Sequence, residues 1–378
     1  MQLRSPKRSL RAFIQNSNIR LILICAAITI YGCLLVYSAS HGYGYGFSGA
    51  STHIFAAAIG FIAALFISQI DYDNICALWP IWAGLSLLLM LLTFTPLGLN
   101  AAGTDDTAWL GIGSLTFQPS ELMKIAFIIS FSVHLSAVRD KIRSFKTVLL
   151  LGLHAMIPIG LVFLQGDDGT AIVFIMIFLS MLFAAGVNAL YYIIGLAGIC
   201  ATVPILWSMM SEDKKARILC IFPPYVEKYL KTAGWQQFEG LKAIGSGQLT
   251  GTGYLNTNNG SLFARNNDLI FTVAGEEFGF VGSFLLIALL TLLLFELYRC
   301  AKHARDPLGT YLCVGLLALI GFQSIINLGM NLRLLPVIGI TLPFFSAGGS
   351  SIITLYLGIS LVLSVSFSQS TRKRRGLL

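Results

Sequence analysis

The chain has 378 residues, of which 56% are hydrophobic and 11% charged, and a formal net charge of +8. Soluble domains carry about 25% charged residues, so the composition excludes an ordinary soluble enzyme and points to an all-α polytopic membrane protein set in a lipid bilayer. The excess of Lys and Arg is explained by topology, and no nucleic acid partner is expected.

A helix that crosses the bilayer needs about 20 mostly apolar residues. In chain order, ten runs meet that length: 19–39, 52–70, 75–96, 120–137, 146–164, 170–187, 189–209, 277–298, 308–329 and 349–368. No cleavable signal peptide is expected, because the first run is long enough to span and no small-residue cleavage pattern follows it. Basic residues cluster at Arg4, Lys7, Arg8 and Arg11, at Arg139, Lys141, Arg143 and Lys146, at Arg299, Lys302 and Arg305, and at Arg372 to Arg375. The alternate loops 40–51, 97–119, 165–169 and 330–348 hold only Arg333. The positive-inside rule then predicts cytoplasmic N and C termini, with a long extracytoplasmic loop at about 210–276 between spans seven and eight. No separate soluble domain or internal repeat is evident, and residues 1–378 read as a single integral membrane domain. The seven cysteines lack C-x-x-C spacing, and most fall in apolar runs, so they read as packing residues.

The polar residues gather on the predicted outer face. Loop 97–119 carries Asp105 and Asp106, read as solvated loop charges, and leads into "FQPSELMK" with Gln118, Ser120, Glu121 and Lys124. Pro119 suits the first turn of a helix, Ser120 suits its cap, and Glu121 suits the positive end of its dipole. Lys124 lies in the first turns of a span, and a charge that reaches a span's centre costs roughly 2.5–3.5 kcal/mol. A structural ion pair with Glu121, three positions earlier, and a substrate contact are both open for it. Asp167 and Asp168 in "QGDDG" are either turn residues or site carboxylates. The Gly- and Asn-rich stretch 243–260 lacks the Lys-Ser/Thr of a phosphate loop and reads as a flexible loop. Asn331 and Arg333 precede "LPFFSAGGSS", whose Ser346, Gly348, Gly349 and Ser350 suit either anion binding by backbone N–H groups or close helix packing.

The stretch "NNDLIFTVAGEEFGFVG" sets three carboxylates against apolar sequence. If the apolar piece after Asp268 enters the membrane, Asp268 stands at a partly desolvated site, and its pKa rises toward that of a general base. Glu276 and Glu277 are either loop charges or partners of a buried cation at the start of the next span.

Five motifs in order along the chain, "FQPSELMK", "GDDGTA", "AIGSGQLTGTG", "NDLIFTVAGEEFGFVG" and "LPVIGITLPFFSAGGSS", resemble the SEDS family, the shape, elongation, division and sporulation proteins that include RodA, FtsW and SpoVE. The resemblance implies a multi-pass protein of the bacterial cytoplasmic (inner) membrane. It implies a peptidoglycan glycosyltransferase that polymerises lipid II, the undecaprenyl-pyrophosphate disaccharide pentapeptide, in cell elongation or division. It places the catalytic carboxylate on Asp268. Gln118, Ser120, Glu121, Lys124, Asp167, Glu276, Glu277, Arg333, Ser346, Gly348, Gly349 and Ser350 are then substrate-binding candidates. Of these, Lys124, Arg333 and the backbone of Gly348 and Gly349 are candidates to meet the leaving pyrophosphate. The expected partner is a class B penicillin-binding protein, a transpeptidase with one spanning helix. No cofactor is required by this reading. The acidic residues are compatible with a divalent cation, Mg²⁺ or Mn²⁺, but no ligand spacing marks a metal site.

The chain departs from the family pattern in "GTDDTAW", where basic residues are usual, at Gly166 in place of a Pro, and at Asn266-Asn267 before Asp268. Short tails favour the RodA branch. A lipid-linked sugar flippase or transporter and a non-catalytic scaffold of a wall-synthesis complex are the alternative readings.

Overall fold

The computed structural model describes residues 17–100, 106–112, 115–223, 225–256 and 265–374. Arg4, Lys7, Arg8, Arg11, Asp105 and Arg375 lie outside these residues, as does the end of the Gly- and Asn-rich stretch. In chain order the helices begin with α1 (Ile19–Gly42), α2 (Gly46–Ile67), α3 (Tyr72–Ala77) and α4 (Trp79–Leu92). A small sheet follows, β1 (Gly98–Leu99), β2 (Trp109–Ile112) and β3 (Leu115–Phe117), all antiparallel in the order β1-β2-β3. Then come α5 (Pro119–Ala137), α6 (Phe145–Leu164), α7 (Asp168–Ala185) and α8 (Ala189–Met209). Three short helices, α9 (Glu212–Leu219), α10 (Val226–Tyr229) and α11 (Trp235–Ser246), precede α12 (Ile270–Lys302), α13 (Pro307–Asn331) and α14 (Gly349–Arg374). Among the described residues nine helices are long and apolar enough to cross a membrane, and the chain is a multi-pass integral membrane protein.

Two expected spans differ from the structure. The run 75–96 is divided into α3 and the 14-residue α4. Pro80 sits in the first turn of α4; it has no N–H to donate, and its ring would clash with the carbonyl of Cys76 in a continuous helix. The run 277–298 begins too late, because α12 starts at Ile270 and bends at Gly279, where φ is 63° and ψ −154°. The loop expected at about 210–276 therefore closes seven residues earlier and contains the three short helices α9, α10 and α11.

The inner bundle is α5, α13 and α14, with α7 and α12 packed on α13 and α2 on α14. Phe127 and Phe131 stack inside it, and Phe174 meets Phe127 edge-on. In contrast, α8 has no buried residue and is apolar along its whole length, as a lipid-facing helix must be. All seven cysteines are free.

Candidate functional site

The ends of α6 and α13 and the starts of α5, α7, α12 and α14 meet at one face of the bundle. Asp268 lies there, in the turn before α12, held by its own backbone and its neighbours'. The Asp268 carbonyl accepts from Asn327 Nδ2 at 2.8 Å and from Asn331 Nδ2 at 2.9 Å. The Asn267 carbonyl accepts from the Ser346 hydroxyl at 2.6 Å, and the Asn266 carbonyl from the Ala347 N–H at 2.8 Å. Ser346 is itself aimed by the Leu342 N–H, which donates to its Oγ at 2.7 Å. Three successive carbonyls are thus tied to α13 and to the segment before α14. The tie leaves the Asp268 side chain as the free member of the turn. Gly339 lies near it: a Cβ added there would stand 3.8 Å from Oδ2. Burial pushes the Asp268 carboxyl up to about 6, and the nearby Asp167 charge adds to the rise.

Asp167 caps α7 through Oδ1, which accepts the Thr170 N–H at 2.9 Å, while Oδ2 accepts from Gln118 Nε2 at 3.2 Å. Its carboxyl is raised by burial, against the opposing pull of the Thr170 hydrogen bonds and the Lys124 charge. Lys124 is fully buried, and its Nζ lies 2.8 Å from Glu121 Oε1 one turn earlier on α5. The ion pair that the sequence suggested for Lys124 is therefore present, and it is buried. Ser120 is buried with its hydroxyl unpartnered. Asp106 is not a solvated loop charge: its Oδ1 is buried, and it lies against Gly166. The loop folds back there because the Thr107 N–H donates to the Gln165 carbonyl at 3.2 Å.

Glu276 and Glu277 are not loop charges either. Both are buried inside α12, where Glu276 pairs with Arg265 and Glu277 accepts from the Ser38 hydroxyl. Arg333 ends α13. Its φ of 57° places it at the left-handed closing position, with its N–H on the Met330 carbonyl and the Leu334 N–H on the Gly329 carbonyl. The guanidinium donates to the Cys220 carbonyl at 3.0 Å, and so ties α13 to the segment after α9.

The Gly-rich stretch is an ordered clamp, which corrects the reading of a flexible loop. The Thr252 and Gly253 N–H groups donate to the Glu276 and Glu277 carbonyls, at 2.9 and 3.2 Å. The Phe280 and Val281 N–H groups donate back to the Gln248 and Leu249 carbonyls, at 2.8 and 3.1 Å. These bonds occupy the groups that the bend at Gly279 releases from the helix ladder. Backbones this close exclude side chains: a Cβ at Gly247 would stand 1.9 Å from the Gly275 carbonyl oxygen, and one at Gly251 2.0 Å from that of Glu277.

Sequence reasoning missed Arg265 and Asn327, and noted Asn331 only as a polar residue of the loop before "LPFFSAGGSS". The two asparagines had a signal, since they fall four apart in an otherwise apolar run, on one helix face. Among the described residues no group of three or more His, Cys, Asp or Glu side chains could hold a metal ion. Asp167, the carboxylate nearest in effect to Asp268, already has both oxygens occupied by Thr170 and Gln118.

This arrangement has counterparts in known proteins. A sequence profile of the cell cycle protein family FtsW/RodA/SpoVE matches residues 19–371. The chain is 31% identical to stage V sporulation protein E of Bacillus subtilis, over 93% of this chain and 97% of that one. It is 30% identical to the peptidoglycan glycosyltransferase MrdB of Escherichia coli, over 91% and 92%. Among solved structures, the Thermus thermophilus rod shape determining protein RodA superposes with a TM-score of 0.70 at 27% identity, over 93% of this chain and 97% of that one. A chain from a structure described as a peptidoglycan synthase complex that coordinates polymerization and crosslinking superposes with a TM-score of 0.80 at 27% identity, over 93% and 98%. With this coverage from end to end, the chain belongs to the FtsW/RodA/SpoVE family of cell cycle proteins.

Proposed function

We propose that the protein is a peptidoglycan glycosyltransferase of the bacterial inner membrane that polymerises lipid II, with Asp268 as its general base and a class B penicillin-binding protein as its partner. The glycosyltransferase activity follows the named relatives, MrdB among them. One observation carries the residue assignment. Asp268 is a desolvated carboxylate on an anchored backbone, with no ion pair among the described residues and a pKa near the pH at which a base must work.

In the reaction this reading assigns, a sugar hydroxyl of the acceptor attacks the anomeric carbon of the donor. The new glycosidic C–O bond forms as the bond from that carbon to the pyrophosphate oxygen breaks. Asp268 takes the hydroxyl proton, and the prenyl pyrophosphate leaves with the electron pair. Lys124 supplies positive charge near the cluster, and donors already aimed at developing charge need no reorganisation as it forms. Asp167 and Gln118 set the electrostatic surroundings of the base. Among the described residues no group of three or more His, Cys, Asp or Glu side chains offers a divalent ion a site held by the protein alone. No step is routed through a metal.

The test is polymerisation of labelled lipid II by the purified chain with its cognate transpeptidase. Glycan ladders from the wild type that disappear in Asp268→Asn, with partner binding intact, are the expected outcome. An Asp268→Asn variant as active as the wild type ends the assignment of the base. A variant chain that makes no glycan yet supports growth points to a scaffold instead.

A further inference from the structure

Asp268 is held by the end of α13, and that end needs a hold of its own. The helix stops at Arg333, where the Leu334 and Leu335 N–H groups both turn back to the Gly329 carbonyl. The Met330 carbonyl therefore loses its partner in the helix ladder, and the Leu335 carbonyl lies beyond the ladder altogether. Buried carbonyls left short of donors are costly.

One side chain from another segment meets both. Gln237 of α11 is fully buried, and its Nε2 donates to the Met330 carbonyl at 2.8 Å and to the Leu335 carbonyl at 2.7 Å. Its Oε1 accepts from the Cys220 thiol at 3.9 Å, so both amide hydrogens are committed to the turn. The helix that carries Gln237 is seated on α12, where a Cβ at Gly240 would stand 3.1 Å from Thr272 Cγ2.

The turn at 330–335 leads to Asp268 from both of its ends. On the helix side, Asn331 follows Met330 and donates to the Asp268 carbonyl. Asn327, one turn earlier, donates to the same carbonyl and also to the Ile340 carbonyl at 2.7 Å. On the loop side, the chain runs from Leu335 to Gly339, which lies near the Asp268 carboxylate. The Ile338 N–H draws this loop back onto Met330 Sδ at 3.2 Å. Gln237 thus joins the two limbs that meet at Asp268, one at its backbone and one beside its carboxylate.

We propose that Gln237 is a positioning residue for the base: its amide holds the turn at 330–335 closed, and the closed turn fixes where the Asp268 carboxylate stands relative to the acceptor hydroxyl. The assignment rests on the glycosyltransferase reading, in which the base must lie within hydrogen-bond reach of the proton it takes. Gln237 is buried away from the chemistry and acts through Asn327, Asn331 and Gly339. A misplacement of about 1 Å in a reacting group costs on the order of 100-fold in rate, so loss of the pin is read in turnover rather than in substrate binding.

The experiment compares the wild type, Gln237→Met and Gln237→Asn, each as the full chain with its cognate transpeptidase, on labelled lipid II. Methionine keeps the length of the side chain and removes both donors; asparagine keeps the amide and withdraws it by one methylene. Gln237→Met should lower kcat by roughly 10- to 100-fold and leave KM within about twofold, with Gln237→Asn in between. A loosened turn also admits water to the Asp268 carboxylate, so the acid limb of the pH–activity profile should move to lower pH. Asp167, the other charged group that acts on that carboxylate, is the same in all three proteins. Mere loss of active protein would lower kcat and leave the limb in place.

Amide hydrogen exchange follows the same contacts without catalysis. Exchange over 327–340 and over 266–272 should rise by about tenfold or more, while exchange over α5 stays at the wild-type rate. A rise confined to 327–340, or an acid limb that does not move, overturns the proposal and leaves Gln237 as a structural tie. Loosening of α5 as well in both variants overturns it too. If the wild type makes no glycan, the glycosyltransferase reading falls, and exchange alone then decides whether Gln237 holds the Asp268 turn. A wild type that makes glycan, with variants equal to it, overturns the role of Gln237 alone.

Discussion

Asp268 and Glu276 are two carboxylates eight residues apart, but the fold treats them in opposite ways. Glu276 is enclosed in α12 and neutralised by Arg265, and its neighbour Glu277 is bonded by Ser38. Asp268 stands in a turn whose carbonyls at 266 to 268 are held, while its carboxylate has no ion pair among the described residues. The glutamates join α12 to its surroundings, and a paired charge in a buried place is an architectural device. A desolvated carboxylate without a cation is a poor structural choice, because burial raises its free energy when ionised. It is useful only if something arrives to take advantage of its basicity. The same contrast divides the neighbouring groups: Lys124 is held by Glu121, whereas Asp167 is only partly compensated and adds to the rise at Asp268.

Replacing each group tests that division. The largest effect is expected at Asp268. Asp268→Asn should abolish polymerisation while raising stability at neutral pH by about 1–3 kcal/mol, because the folded state no longer holds a carboxylate whose pKa is raised. The sign follows from linkage. A carboxyl with a raised folded-state pKa stabilises the fold at low pH, and that contribution is lost as pH rises through about 6. Chemical unfolding at pH 3 and pH 8 should show a gain for Asp268→Asn only at the higher pH, because the loss begins at the unfolded-state value of 3.8. A lower stability at pH 8 would mean that the carboxylate is structural.

Glu276→Ala should do the reverse. It strands the Arg265 guanidinium in a buried place and should lower stability by about 3–5 kcal/mol, read as a fall in Tm in detergent. If Tm is unchanged, the pair does not hold α12. Lys124→Ala, which leaves Glu121 unpaired, is expected to lower Tm together with activity. A retained Tm with lost activity would transfer Lys124 from the architectural group to the reactive one. Gly279→Ala attacks the clamp: a side chain at a position of this backbone conformation costs about 1–3 kcal/mol, and an added Cβ there also stands 2.4 Å from the Gly251 N. Limited proteolysis should then open residues 247–256 first. The smallest effect is expected from Asp167→Asn. Removal of its charge should move the acid limb of the pH–activity profile to lower pH without abolishing activity, because that charge raises the Asp268 pKa. A limb that does not move would show that the two carboxylates are not coupled.

Much of the site was legible along the chain because membranes make polar residues conspicuous. In a chain with 11% charged residues, Asp268, Lys124 and Asp167 stand out against apolar runs, and their spacing from span ends places them at a bilayer surface. The contacts between them were not legible. Gln118 and Asp167 are 49 residues apart, and Asn331 and Asp268 are 63 apart. The glycines of 243–256 resembled a loop because composition does not show what backbone they will face.

The sequence by itself determined the class of the protein and the approximate spans, since each follows from local hydrophobicity and from the high cost of charge in hydrocarbon. The division of helix α3 from α4 was local as well, written in Pro80 though not read from it. Only the tertiary structure decided which charges are neutralised and which are left to react. That depends on groups brought together from α5, α7, α12 and α13, and no period or spacing in one segment encodes the partner that another will present.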